Sequence, residues 1–224
     1  LEDAKQILLK HPNQKFYYEI LSMECWIQAD KDVNLARLNV ESLLSSVDRE
    51  QFAEEYAQLK LCWGFTSELT GNLNEAAEAY GFGVSEGRRL QAKELLADAL
   101  GSQGDLKSYR GEHSEALENL KESYDIYQSL ADEHAMRFTL NSIANVYSRI
   151  NEHSQAIRYY QQLLAHEEAH GTLSGVAITR YNIGRAEELQ GALKEARHQF
   201  EQAIQLAETA DDVLDMYVGG DKIF

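Results

Sequence analysis

The chain reads as an all-α protein, a solenoid of about five helix-turn-helix repeats, and three observations carry that reading. Alanine recurs at a spacing of 40 residues, as Ala36, Ala76, Ala116, Ala156 and Ala196, each inside a variant of one phrase. The phrases are KDVNLARLNV from Lys31, GNLNEAAEAY from Gly71, GEHSEALENL from Gly111, NEHSQAIRYY from Asn151 and GALKEARHQF from Gly191. Self-similarity at a fixed period marks stacked units, each burying its apolar face only against its neighbours. Second, helix formers dominate and Pro12 is the only proline in 224 residues, so there is little to break the array. Third, 44% of the residues are apolar, which is enough for a long continuous core.

The repeats are expected at approximately 13–50, 51–90, 91–130, 131–170 and 171–210, with partial helices at 1–10 and 211–224. In the fourth, Glu133–Arg149 reads as the first helix, Ile150–His153 as the turn and Ser154–Glu168 as the second helix. Glycine or asparagine opens four of the five phrases because a left-handed residue ends a helix at low cost. Ser114, Ser154 and Asn74 then stand where an N-cap is expected. The repeated alanine lets the two helices approach closely. Four residues later, Val40, Tyr80, Leu120, Tyr160 and Phe200 supply a bulky partner on the same face. In the preceding helix, Gly64, Gly104, Ala144 and Gly184 form a second small set at a crossing point. The first repeat is the least regular, with Lys31 in place of glycine, Glu24 at the small position and Trp26 close by.

Charge and cysteine content narrow the partners. A formal net charge of −16 argues against binding a phosphate backbone, which needs clustered Lys and Arg. Basic or neutral peptides suit it better, although a solvated acidic outer face explains the charge equally well. No run of 18 apolar residues occurs, so no membrane insertion is expected in this segment. The chain starts at Leu1 without a signal peptide and both ends fall inside repeats, so it reads as an excerpt of a longer chain. Cys25 and Cys62 are not metal-spaced and sit one turn away from equivalent positions. They read as buried or groove-lining thiols rather than a disulfide, which favours a reducing, cytoplasmic compartment.

Small residue, turn, alanine and bulky residue together resemble the tetratricopeptide repeat, at that repeat's positions 8, 15, 20 and 24. The resemblance covers essentially the whole chain. The 40-residue unit is longer than the usual 34, and the proline that usually ends the second helix is missing. Units of this length look like the sensory or regulatory regions of bacterial signalling proteins such as GGDEF-type diguanylate cyclases. They also resemble those of kinesin light chains and Rap-type regulators. The resemblance implies a right-handed superhelix whose first helices line a concave groove.

The groove positions implied in the fourth repeat include Phe138, Asn141, Ser142, Asn145, Ser148 and Arg149; the fifth gives Ile178, Tyr181, Asn182, Arg185, Glu188 and Leu189. Asparagine is a poor mid-helix residue because its amide competes with the backbone. Its donor and acceptor suit an extended peptide backbone, and Arg149 and Arg185 suit a carboxylate. Asn141, Asn145, Arg149, Tyr181, Asn182 and Arg185 are therefore the expected peptide-binding centre. Asn145 and Asn182 match the asparagines of peptide-carboxylate clamps, but Asn141 replaces the clamp's lysine. The competing reading has these amides bonded to neighbouring helices or water. In the second and third repeats, Cys62, Phe65 and Tyr109 are candidates for an apolar small-molecule patch.

His166-Glu167-Glu168-Ala169-His170 matches the H-E-x-x-H pattern of zinc peptidases. Ile126 and Leu206 share the register of His166, and Leu90, Leu130 and Ala210 that of His170, so these are packing positions. A third ligand is also misplaced, since Glu187 falls opposite Ile157 once the next helix runs back. A zinc-dependent hydrolase through His166 and His170 is the remote alternative; no cofactor or metal is expected. His113 and His153 occupy identical turn positions and read as packing residues, as do the tyrosines of the second helices. The expected function is non-catalytic recognition of a protein or peptide segment, with self-association as a homodimer the main rival.

Overall fold

The computed structural model describes residues 14–209, and among them every regular element is an α-helix. In chain order these are α1 (Gln14–Ala29), α2 (Val33–Ser46), α3 (Ala53–Leu69), α4 (Leu73–Leu90) and α5 (Lys93–Tyr109). There follow α6 (His113–Leu130), α7 (Glu133–Arg149), α8 (His153–His170), α9 (Leu173–Leu189) and α10 (Leu193–Thr209). The partial helices expected at 1–10 and 211–224 lie outside the described residues. The chain divides into two compact units, Leu1–Ile126 and Tyr127–Phe224, with the break inside α6.

Consecutive helices pack as neighbours within each unit, and the crossings are set by the small residues. Ala36, Ala76, Ala116, Ala156 and Ala196 are all buried. A Cβ on Gly64 would lie 2.7 Å from Tyr80 Cε1, one on Gly104 2.7 Å from Leu120 Cγ, and one on Gly184 2.8 Å from Phe200 Cε1. The bulky residue four past the alanine therefore rests directly on the glycine of the preceding helix. That contact needs the missing side chain, because close-packed interiors leave no slack for a methyl group.

The turn inside each pair also follows its sequence. Gly71, Gly111, Asn151 and Gly191 adopt φ of 81°, 83°, 61° and 85°. The next residue's N–H reaches back across the turn, Asn72 to Ser67 O, Glu112 to Lys107 O, Glu152 to Tyr147 O and Ala192 to Glu187 O. This is the Schellman closure of a helix end. In the first pair, where Lys31 stands, Asp32 instead accepts from Leu35 N at 3.0 Å as a side-chain cap.

Two expectations are corrected. Asn74, Ser114 and Ser154 are not N-caps: α4, α6 and α8 begin at Leu73, His113 and His153, which makes them second helical residues. The Schellman turn delivers the chain into the next helix one residue after it closes, leaving no room for a later cap. Cys25 and Cys62 are joined in a disulfide with Cα atoms 6.3 Å apart, inside the range a disulfide spans. Their three-residue offset from equivalent register brings α1 and α3 side by side at the sulfurs, and the basis for favouring a reducing compartment goes with it.

Candidate functional site

In the C-terminal unit, α7 and α9 both pack on α8 and present the same pattern 40 residues apart. Phe138, Asn141, Asn145 and Arg149 run along one stripe of α7, and Ile178, Tyr181, Arg185 and Leu189 along one stripe of α9. Phe138, Arg149, Ile178, Tyr181, Arg185 and Leu189 are exposed, while Asn141, Asn145 and Asn182 are half-buried. The stripes are thus apolar at their first turn and polar through the middle. No hydrogen bond or ion pair joins the α7 set to the α9 set among the described residues.

The partners of these side chains differ. Asn145 Oδ1 accepts a hydrogen bond from Tyr160 Oη of α8 at 2.5 Å, so this amide is half committed inside the fold. Burial pushes the Tyr160 phenol well above its ordinary range, which keeps it a neutral donor. Arg185 donates to Glu188 Oε2 at 3.1 Å on its own helix, and the Tyr181 ring packs at 5.6 Å from that of Phe200. The side chains of Asn141, Asn182 and Arg149 make no hydrogen bond or ion pair with a described residue. These three, rather than all six, are what the helices leave open.

Of the H-E-x-x-H residues, His166, Glu167 and Glu168 tie helices together, whereas His170 at the end of α8 is exposed and is not the packing residue expected. His166 Nδ1 lies 2.7 Å from Glu133 Oε2 of α7. Glu167, which zinc chemistry would need as a base, accepts from Arg137 Nη1 of α7 at 3.1 Å with both side chains largely buried. Glu168 accepts from Arg180 of α9 at 2.6 Å. No group of three His, Cys, Asp or Glu side chains placed to hold a metal occurs among the described residues. His113 and His153 are half-buried at their helix starts, each with a buried Nδ1 lacking a partner.

In the N-terminal unit the middle of the equivalent face of α3 is closed, while Leu69 at its end is exposed. Leu61 and Cys62, the register mates of Tyr181's neighbourhood, are buried, and Cys62 is in the disulfide. Phe65 packs on Trp26 with ring centroids 4.8 Å apart. The apolar patch expected from Cys62, Phe65 and Tyr109 therefore does not form; Tyr109 alone is exposed. In the sequence the one-turn offset counts against a disulfide, whereas that offset is what places the two thiols at neighbouring heights.

A fold of paired helices with an alanine at each crossing defines a helical-repeat protein. A sequence model of the tetratricopeptide repeat matches residues 95–168 and 139–209, more than half of the chain, and the chain belongs to that family. Among solved structures it is similar to BtubC (BKLC) from P. vanneervenii, with a TM-score of 0.77 at 15% identity over 94% of this chain and 87% of that one. A putative kinesin light chain from Podosopora anserina gives 0.70 at 15% identity over 89% and 99%. A Rap protein complexed with the competence and sporulation factor gives 0.68 at 17% identity over 92% and 59%. These likenesses concern the fold. No curated protein matches the chain.

Proposed function

We propose that the C-terminal unit is a non-catalytic recognition surface for an extended peptide or protein segment. The observation that carries this is the trio Asn141, Asn182 and Arg149. Two are amides held mid-helix against their own propensity, and none is used by the fold. An amide pairs with both the N–H and the C=O of an extended chain, the guanidinium takes a carboxylate, and Phe138, Ile178 and Tyr181 offer apolar contact beside them. The Rap protein's complex with the competence and sporulation factor supports a bound partner on this fold. In our reading the segment serves as the sensory or regulatory part of a bacterial signalling protein, as in GGDEF-type cyclases.

The test is a peptide-array capture comparing wild type with an Asn141→Ala/Asn182→Ala variant, each checked for helicity by circular dichroism. Captured peptides should be lost, weakening at least about tenfold for two hydrogen bonds to an ordered ligand. Asn145→Ala is the contrast, because it also breaks the Tyr160 bond and so lowers stability. Peptides retained equally by the folded double variant would move the site off this face. Concentration-dependent dimerisation unaffected by that variant would favour the self-association reading instead.

A further inference from the structure

The N-terminal unit carries a cavity that the peptide-binding reading does not use. Its volume is about 330 Å³, at the small end of ligand pockets. Tyr56, Lys60 and Trp63 of α3 line it at i, i+4 and i+7, roughly half a turn around the helix from Gln58, Phe65 and Leu69. Phe82 and Glu78 of α4 and Arg49 from the α2–α3 connection complete the wall.

Most of the described arginines hold a carboxylate, whereas Arg49, like Arg149 and Arg158, does not. Arg88, Arg89, Arg137, Arg180 and Arg197 each hold a carboxylate. At the cavity, Glu75 is already committed to Arg37 at 2.6 Å, and Arg37 covers one face of Trp63 at 4.0 Å. The Arg49 guanidinium lies 4.9 Å from the Phe82 ring centroid and 5.6 Å from that of Tyr56. The rings hold it in place without neutralising it. Neither Arg49 nor Lys60 makes a hydrogen bond or ion pair with a described residue. In a chain of net charge −16, two cations that Glu86 and Glu75 reach only at range stand on one aromatic-walled cavity and suit an anion.

We propose that this cavity binds a small carboxylate with an aromatic or branched apolar body, of the size of one amino-acid residue. Arg49 and Lys60 take the carboxylate and the rings of Tyr56, Trp63 and Phe82 take the apolar body. A dianionic phosphate is disfavoured because Glu75 and Glu78 stand on the same wall. Glu78 is exposed and makes no hydrogen bond or ion pair with a described residue, so it is placed to receive an α-ammonium. A free amino acid and the C-terminal residue of a peptide share the carboxylate and differ in that ammonium.

The experiment titrates phenylalanine, N-acetylphenylalanine and phenylalaninamide into the full chain and follows the Trp63 indole N–H by NMR, assigned with Trp63→Phe. Both carboxylates should shift it saturably, and phenylalaninamide should not. Arg49→Gln and Lys60→Gln, with unchanged melting curves, should each weaken binding about tenfold. A preference for free phenylalanine that Glu78→Gln removes assigns the site to free amino acids. Equal binding of the two carboxylates assigns it to peptide C-termini. Phenylalaninamide binding as well as phenylalanine, binding unchanged in both cation variants, or no saturable shift from any probe overturns the proposal.

Discussion

The two compact units use one helical register for different ends. In the N-terminal unit the inward positions of α1 and α3 are consumed by packing. Cys25 and Cys62 are bonded, Phe65 rests on Trp26, and Leu61 is in the core beside Tyr80 and Ala99. In the C-terminal unit the same positions hold amides and stay half open. Ion pairs tie helices on other faces in both units, Arg37 to Glu75 in the first, and Arg137 to Glu167 and Arg180 to Glu168 in the second. The difference therefore lies at the inward positions themselves, which the first unit fills with packing and the second leaves half open. A residue cannot both seal a crossing and wait for a ligand.

The largest way to break the comparison is to remove the disulfide. Closing a loop of 37 residues between Cys25 and Cys62 contributes about 4 kcal/mol in the chain-entropy picture. Cys25→Ser/Cys62→Ser should lower hydrogen-exchange protection of α1 and α3 by that order, with α8 and α9 as the internal reference. Unchanged protection would show that the aromatic core alone holds the first pair. Both sulfurs lie in buried residues, so reduction of the native protein should wait on local opening.

A smaller effect separates two tyrosines 80 residues apart. Tyr80 Oη donates to Glu68 Oε2 at 2.9 Å, and Tyr160 Oη donates to Asn145 Oδ1 at 2.5 Å. Removing a bond to a carboxylate costs about 1.5–3 kcal/mol, against about 0.5–1.5 kcal/mol for a neutral pair. Tyr80→Phe should therefore destabilise more than Tyr160→Phe in chemical denaturation. Equal losses would mean that the two hydroxyls serve packing rather than their acceptors. Tyr160→Phe should also free Asn145 and strengthen, not weaken, capture of any peptide bound on α7.

Much of this arrangement was legible from the period. The alanine and glycine register located the crossings at Gly64, Gly104 and Gly184, where only small residues fit, and Glu133–Arg149 is a helix with the bounds its sequence suggested. Helix starts were harder: Asn74 and Ser154 have cap chemistry, but the turn geometry, not composition, decides where a helix begins. The site was half legible. The family resemblance assigned Asn141, Asn145 and Asn182 to groove positions, yet nothing in α7 says that Tyr160 of α8 claims one of the amides. Arg49, Tyr56 and Phe82 come from three elements, and no single-helix pattern assembles their cavity.

The smallest effect sharpens the comparison at two glutamates. Burial pushes the carboxyl of Glu68 in α3 above its ordinary range, with the Tyr80 hydroxyl opposing it. Burial also pushes up that of Glu187 in α9, there with the charge of Glu195 adding to it and His198 opposing. A raised folded pKa means the native state binds more protons than the unfolded chain just above the ordinary carboxylate range. Stability then falls as pH rises through that window, and the deficit persists at neutral pH. Glu187→Gln should therefore stabilise the C-terminal unit at neutral pH by a few tenths of a kcal/mol, discounted for solvent screening, and by nothing below the carboxylate range. Glu68→Gln removes the same kind of deficit but forfeits the charge-assisted bond from Tyr80, so its gain should be less or negative. Thermal melts of both variants at the two pH values decide it. A Glu187→Gln gain that is independent of pH would assign the effect to packing and not to charge.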